Sequence, residues 1–298
     1  MSLRAELIRF CLPWFMRPRL SSDIRIEDVR RSTARFARLV PPPPRGTELL
    51  VVDAGGVRAE RVARPGSRPG RYVLHLHGGA YCVGFPALFR DFTWRMADAT
   101  GARVLCVDYR LAPEHPFPAA LDDVMAAWRW LIAECADPRQ VAFVGDSSGG
   151  GLVFASMMRL RDEGLPLPAA AVALSPWTDL ALTGPSLAAY ALSDPMVPVE
   201  LMPKAVDLYL AGADPRQPYA SPLYGDAAGL PPALILAAGD EALRDDAVRM
   251  AGRLQAAGGD VELELWPRMF HVWPMFARIL PEARTAIARM GAFLQGRL

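Results

Sequence analysis

The sequence predicts an α/β architecture: a mostly parallel sheet with helices on both faces. Two observations carry this. Short apolar runs at 72–76, 104–107, 141–144, 170–174, 234–237 and 261–265 alternate with helical stretches near 87–100, 119–135, 150–163, 244–257 and 282–296. Strands that are apolar throughout and separated by helices belong inside a parallel sheet covered on both sides. In addition, β-like runs at 48–53 and 57–62 flank Ala54-Gly55-Gly56, which reads as a hairpin adding two antiparallel strands, for eight in all.

Taken in chain order, the first 45 residues form an appendage. Leu3, Leu7, Phe10 and Trp14 recur at helical spacing, as do Ile26, Val29, Thr33, Phe36 and Val40, so two amphipathic helices are expected. Pro41 to Pro44 then forms a stiff extended spacer. The strand–helix alternation occupies 46–182 and 223–298. Between these, 183–222 breaks the rhythm with prolines at 185, 195, 198, 203, 215, 218 and 222 and one helical piece near 199–211. It reads as an insertion above the strand ends, where sites form in such sheets.

Composition narrows the function. A chain of 298 residues, 52% hydrophobic and 22% charged, can bury a sizeable core. A formal net charge of +1 offers no field to attract nucleic acid or an acidic membrane. Lys204 is the only lysine and lies in no Gly-Lys-Ser/Thr run, which removes P-loop chemistry. Cys11, Cys82, Cys106 and Cys135 form no C-x-x-C pair, so a reducing compartment is expected. Arg4, Glu6, Arg9 and Pro13 interrupt the apolar N-terminal stretch, and no stretch reaches the roughly 18 apolar residues of a membrane span. The expectation is a cytoplasmic protein with no stable membrane association.

Four constellations carry chemistry. Gly145-Asp146-Ser147-Ser148-Gly149 lies between a strand and a helix, the setting of a nucleophile elbow. The turn is tight, so small residues must flank Ser147. A Gly-rich loop is the bland alternative; a dinucleotide fingerprint fits poorly, because position 147 is not glycine. His77-Gly78-Gly79-Ala80 follows a strand, and its successive glycines let backbone N–H groups approach a ligand oxygen. With the Ser148 amide, Gly78 and Gly79 would form an oxyanion hole. His75 and His77 could instead be a zinc pair, but no third ligand follows at metal spacing.

A base and an acid complete the set. Of the four histidines, His271 sits in the loop after the last strand, and His115 lies in a proline-locked turn. The chain order Ser, acid, His favours His271 as base. Asp240 and Glu241 both fall at the end of the 234–237 strand, and the chemistry of the residues does not choose between them. Asp245 and Asp246 suit a helix N-terminus instead.

From about residue 40 onward these residues resemble the bacterial hormone-sensitive lipase family of α/β-hydrolases. The resemblance rests on His77-Gly78-Gly79, on the run from Asp108 to Ala120, on Gly145 to Gly150, on Tyr219-Ala220-Ser221-Pro222-Leu223 and on Phe270-His271. It implies an α/β-hydrolase fold whose cap comprises 1–45 and 183–222. It implies hydrolysis of short-chain acyl esters without a cofactor. The family's acid precedes Leu by two residues and Asp by four, which selects Glu241 here, although the family residue is usually Asp. Ala80 and Ser148 are further departures that leave the backbone donors intact. Members often dimerise through the C-terminal strand and helix, which leaves a homodimer open.

The sequence therefore predicts a serine carboxylesterase with Ser147, Glu241 and His271 as catalytic residues and Gly78, Gly79 and Ser148 as oxyanion donors. An amidase or lactonase would use the same residues, and a catalytically silent small-molecule receptor is the alternative from another class. Arg110 is expected to pair with Glu114 across the 108–120 turn, and Trp177 and Asp179 to pack and cap. Tyr190, Met196, Leu201, Val206 and Tyr209 are candidates for an acyl pocket or for packing in the cap.

Overall fold

The computed structural model describes residues 2–16, 25–135 and 137–298. The side chains of Trp14 and Cys135 lie outside the described residues. Eight strands form one sheet: β1 (Glu48–Asp53), β2 (Arg58–Ala63), β3 (Tyr72–Leu76), β4 (Arg103–Val107), β5 (Val141–Asp146), β6 (Ala170–Leu174), β7 (Ala233–Ala238) and β8 (Val261–Trp266). Their order is β1-β2-β4-β3-β5-β6-β7-β8. The β1–β2 hairpin is antiparallel and joins β4 antiparallel; every other pairing is parallel. The expected mixture of one hairpin and a parallel sheet is what forms.

Alternate residues of each strand feed two cores, as the pleat requires. Leu74, Leu105, Phe143, Ala171 and Ile235 face α4 (Ala119–Cys135), α5 (Ser148–Asp162) and α8 (Arg244–Ala256). Val73, Val104, Val144, Val172 and Leu234 face α3 (Arg90–Thr100) and α9 (Pro281–Gln295). Strands β3, β5, β6 and β7 are buried throughout, which is why they read as unbroken apolar runs. Because β3 to β8 run parallel, the loops leaving them meet at one end of the sheet.

The segment between β6 and β7 carries α6 (Pro185–Tyr190) and α7 (Met202–Leu210). It packs by Leu187, Val197, Met202, Val206 and Tyr209 onto the first core. The Tyr209 ring stacks on Tyr81 at 3.8 Å. Of the sequence candidates here, Val206 and Tyr209 are packing residues.

The N-terminal helices depart from expectation. In α1 (Leu3–Met16), Leu3, Leu7 and Phe10 point to solvent, whereas Ala5, Ile8 and Leu12 pack against the second core. The helix bears two apolar stripes, and the one carrying Ala5, Ile8 and Leu12 is the one turned to the protein. In α2 (Ile26–Ala37), Ile26 packs inward but Phe36 is exposed. A polar contact holds α2: Arg30 donates to the carbonyls of Cys82 and Ala112 at 2.8 and 2.7 Å and pairs with Glu114. Glu114 therefore does not pair with Arg110, whose guanidinium reaches Asp123 on α4 at 2.8 Å.

Candidate active site

Ser147 occupies the turn from β5 into α5 with φ 53° and ψ −123°, a strained combination for a residue with a side chain. Its N–H donates to Leu174 at the end of β6, and its carbonyl accepts from Gly150 and Trp177, each at 2.9 Å. These bonds hold the strain in place. The flanking glycines are required by space: a Cβ on Gly145 would lie 2.3 Å from the Gly149 carbonyl oxygen, and one on Gly149 would lie 1.9 Å from that of Leu76. The helix and strands cross too closely for any side chain there.

Two loops bring partners to this serine. His271, after β8, places Nε2 3.0 Å from Ser147 Oγ and Nδ1 2.8 Å from Glu241 Oε2. Glu241, after β7, is fully buried, and its Oε1 accepts the Ala238 amide at 2.9 Å. A carboxylate can only accept, so Nδ1 carries the proton and Nε2 is left to accept from the Ser147 hydroxyl. Burial disfavours the imidazolium, but the hydrogen bond and charge of Glu241, reinforced by the charges of Asp194 and Asp146, outweigh it; the His271 pKa is raised above its ordinary 6.5. Asp240 faces the other way, accepting from Arg9 of α1 at 2.9 Å. The geometry joins Glu241, not Asp240, to the histidine.

The third element is the turn after β3. Among the described residues, the amides of Gly78, Gly79 and Ser148 donate to no protein acceptor. A Cβ on Gly78 would lie 3.1 Å from that of Ser147, so this turn lies against the elbow. Gly79 has φ +125°, and a Cβ there would meet the Val83 carbonyl at 2.0 Å. The Tyr81 amide donates to Ser148 Oγ at 3.3 Å, tying the turn to α5.

His77 supports this turn. Its ring lies 4.2 Å from the Tyr109 ring, its Nδ1 donates to the Gly78 carbonyl at 2.8 Å, and the Tyr109 hydroxyl donates to the His77 carbonyl at 2.6 Å. Burial lowers its pKa to about 4, so the ring is neutral. His75 instead meets Asp146 Oδ1 at 3.2 Å and Cys106 Sγ at 3.3 Å. The two histidines thus serve different partners, and no group of three His, Cys, Asp or Glu converges on a metal position among the described residues.

Sequence reasoning missed three supporting residues. Ser175, at the end of β6, accepts the Val272 amide at 3.2 Å and holds the His271 loop. Asp194, from the segment between β6 and β7, accepts the Ala242 amide at 2.8 Å, next to Glu241. Asp246, read as a helix-terminus acid, also accepts the amides of Thr178 and Asp179 at 2.8 and 2.9 Å. Each bond spans more than 60 residues or joins separate loops, so no local pattern announces it. Trp177 and Asp179 do pack and cap: Trp177 is buried and donates to the Asp179 carbonyl, and Asp179 accepts the amides of Ala181 and Thr183.

The chain is similar to known proteins in sequence and in fold. Residues 73–275 match the family model of the alpha/beta hydrolase fold. The chain is 44% identical over 265 residues to an acetyl-hydrolase of Streptomyces hygroscopicus, covering 89% of this chain and 87% of that one. It is 35% identical over 274 residues to the carboxylesterase/phospholipase LipF of Mycobacterium tuberculosis, covering 87% and 72%. The crystal structure of an esterase from the bacterial hormone-sensitive lipase family superposes with a TM-score of 0.94 at 42% identity, over 100% of this chain and 99% of that one. Eight strands in this order, the glycine-flanked serine and these likenesses lead to one assignment: the chain belongs to the bacterial hormone-sensitive lipase family of α/β-hydrolases and is a carboxylic ester hydrolase.

Proposed function

We propose that the enzyme hydrolyses short- to medium-chain acyl esters through an acyl-enzyme intermediate on Ser147. The observation that carries this reading is the continuous relay from Ser147 Oγ through His271 to Glu241, at 3.0 and 2.8 Å. His271 Nε2 takes the hydroxyl proton as Ser147 Oγ attacks the ester carbonyl. The amides of Gly78, Gly79 and Ser148 receive the oxyanion, and Glu241 holds the imidazole in its tautomer and stabilises the imidazolium. His271 returns the proton to the departing alcohol. A water deprotonated by the same nitrogen then attacks the acyl carbonyl and releases the acid and Ser147.

The substrate class rests on the acetyl-hydrolase likeness. No helix among the described residues is long and apolar enough to cross a membrane. Turnover of p-nitrophenyl esters from acetate to laurate tests the reading. Wild type should favour the shorter chains, Ser147→Ala should be inactive, and a sulfonyl fluoride should add one equivalent of mass at Ser147. Turnover retained by Ser147→Ala would sink it.

A further inference from the structure

The segment between β6 and β7 grips a single residue of the acid loop from both sides. Asp194 Oδ2 accepts the Ala242 N–H at 2.8 Å, and Ser186 Oγ donates to the Ala242 carbonyl at 2.7 Å. Ala242 follows Glu241 directly, and both are fully buried. Asp194 is itself 1% exposed, and its Oδ1 accepts the amides of Met196 and Val197 at 2.8 and 3.0 Å. Ser186 is locked in turn: its N–H donates to Asp245 at 2.7 Å, and its Oγ accepts the Asp245 N–H at 3.0 Å. A buried carboxylate is costly unless several donors satisfy it. Here the donors come from both the segment and the acid loop, so the two cannot separate without stranding it.

We propose that Asp194 is a positioning residue for the reaction: with Ser186 it clamps Ala242, fixes the Glu241 carboxylate on His271, and makes the fit of the overlying segment a condition of catalytic competence. This rests on the assignment of Glu241 and His271 made above. Asp194 acts in two ways. Its hydrogen bond sets the backbone that presents Glu241. Its negative charge also favours the imidazolium of His271, which is faced by Glu241 from the loop after β7, Asp194 from the segment, and Asp146 from the end of β5.

The two effects separate experimentally, with p-nitrophenyl butyrate as the probe. Asp194→Asn keeps one acceptor oxygen but removes the charge. Its kcat should fall about tenfold through misplacement of the acid, with KM changed less than about threefold. The ascending limb of its kcat/KM profile should move to lower pH, because the imidazolium has lost a favourable charge. Ser186→Ala loosens the same residue without changing charge; its kcat should fall while the limb stays in place. A folded Asp194→Asn protein whose limb does not move, or whose loss lies in KM alone, overturns the proposal. If Asp194→Asn does not fold, Ser186→Ala decides: wild-type kcat there removes the clamp. An active Ser147→Ala control would instead defeat the underlying triad reading, so the two failures are told apart.

Discussion

Arg9 on α1 donates to Asp240 Oδ2 at 2.9 Å, and that ion pair turns Asp240 away from the histidine that its neighbour Glu241 contacts. Adjacent residues in one loop point in opposite directions and so can play different parts. Glu241→Gln removes the charge that orients His271 and stabilises its imidazolium, so kcat should drop by about 10³–10⁴. Asp240→Asn breaks a partly exposed pair worth about 0–1 kcal/mol and should leave kcat within about twofold. Parallel kinetics on one ester check both. A crippled Asp240→Asn with an active Glu241→Gln would reverse the assignment.

The raised pKa of His271 predicts the pH dependence. Only the neutral imidazole can accept the Ser147 proton, so activity must rise as His271 deprotonates. The midpoint of the kcat/KM limb should therefore lie above 6.5, the ordinary histidine value. In Glu241→Gln the residual activity should show a lower midpoint, because burial then acts with less opposition. A wild-type limb centred below 6.5 would mean that burial, rather than the charge of Glu241, dominates the setting of His271.

Much of this was legible in the sequence because it rests on local constraints. Buried parallel strands must be apolar on both faces, so Tyr72–Leu76 and Ala170–Leu174 announce themselves. The elbow admits no side chain at Gly145 or Gly149, so its pattern survives as letters. What escaped was decided by tertiary fit. Helix α1 carries two apolar stripes, and which one is buried depends on the surface it meets, including Asp240 and Arg268, which take Arg9 and Glu6 from positions far along the chain. Arg110 reaches Asp123 across a turn rather than the nearer Glu114, which α2 claims through Arg30. Asp194 acts on a residue 48 positions away, and its setting among prolines gave no hint of an anchor.

His77 makes the fold sensitive to acid. Its pKa is about 4 in the folded protein against 6.5 for an ordinary histidine, because burial disfavours the charged ring. The unfolded chain therefore takes up a proton as pH falls below 6.5 while the folded chain does not. Stability present above 6.5 is lost as pH falls to about 4, amounting to about 3 kcal/mol. His77→Asn keeps a donor near the Gly78 carbonyl but cannot titrate. Its midpoint of thermal unfolding should start lower at pH 7 and fall less than that of wild type between pH 6.5 and 4. Equal pH slopes for the two proteins would show that His77 does not cause the acid sensitivity.

Two glycines in helices should respond to alanine with opposite signs. Gly149 lies in the first turn of α5, and a Cβ there would lie 1.9 Å from the Leu76 carbonyl oxygen. Backbone occupies that space, so β3 and α5 must separate, and the strain falls on the turn that carries Ser147. Gly149→Ala should cost about 3 kcal/mol and lower kcat together with stability. Gly252 lies within α8, exposed, with no atom within 4 Å of the Cβ position. There alanine only restricts the unfolded chain and improves helix propensity, so Gly252→Ala should stabilise by about 0.5–1 kcal/mol with kcat unchanged. Denaturant titration of both variants measures the two signs. A Gly149→Ala protein as stable and as active as wild type would mean that β3 and α5 do not cross as closely as the elbow requires.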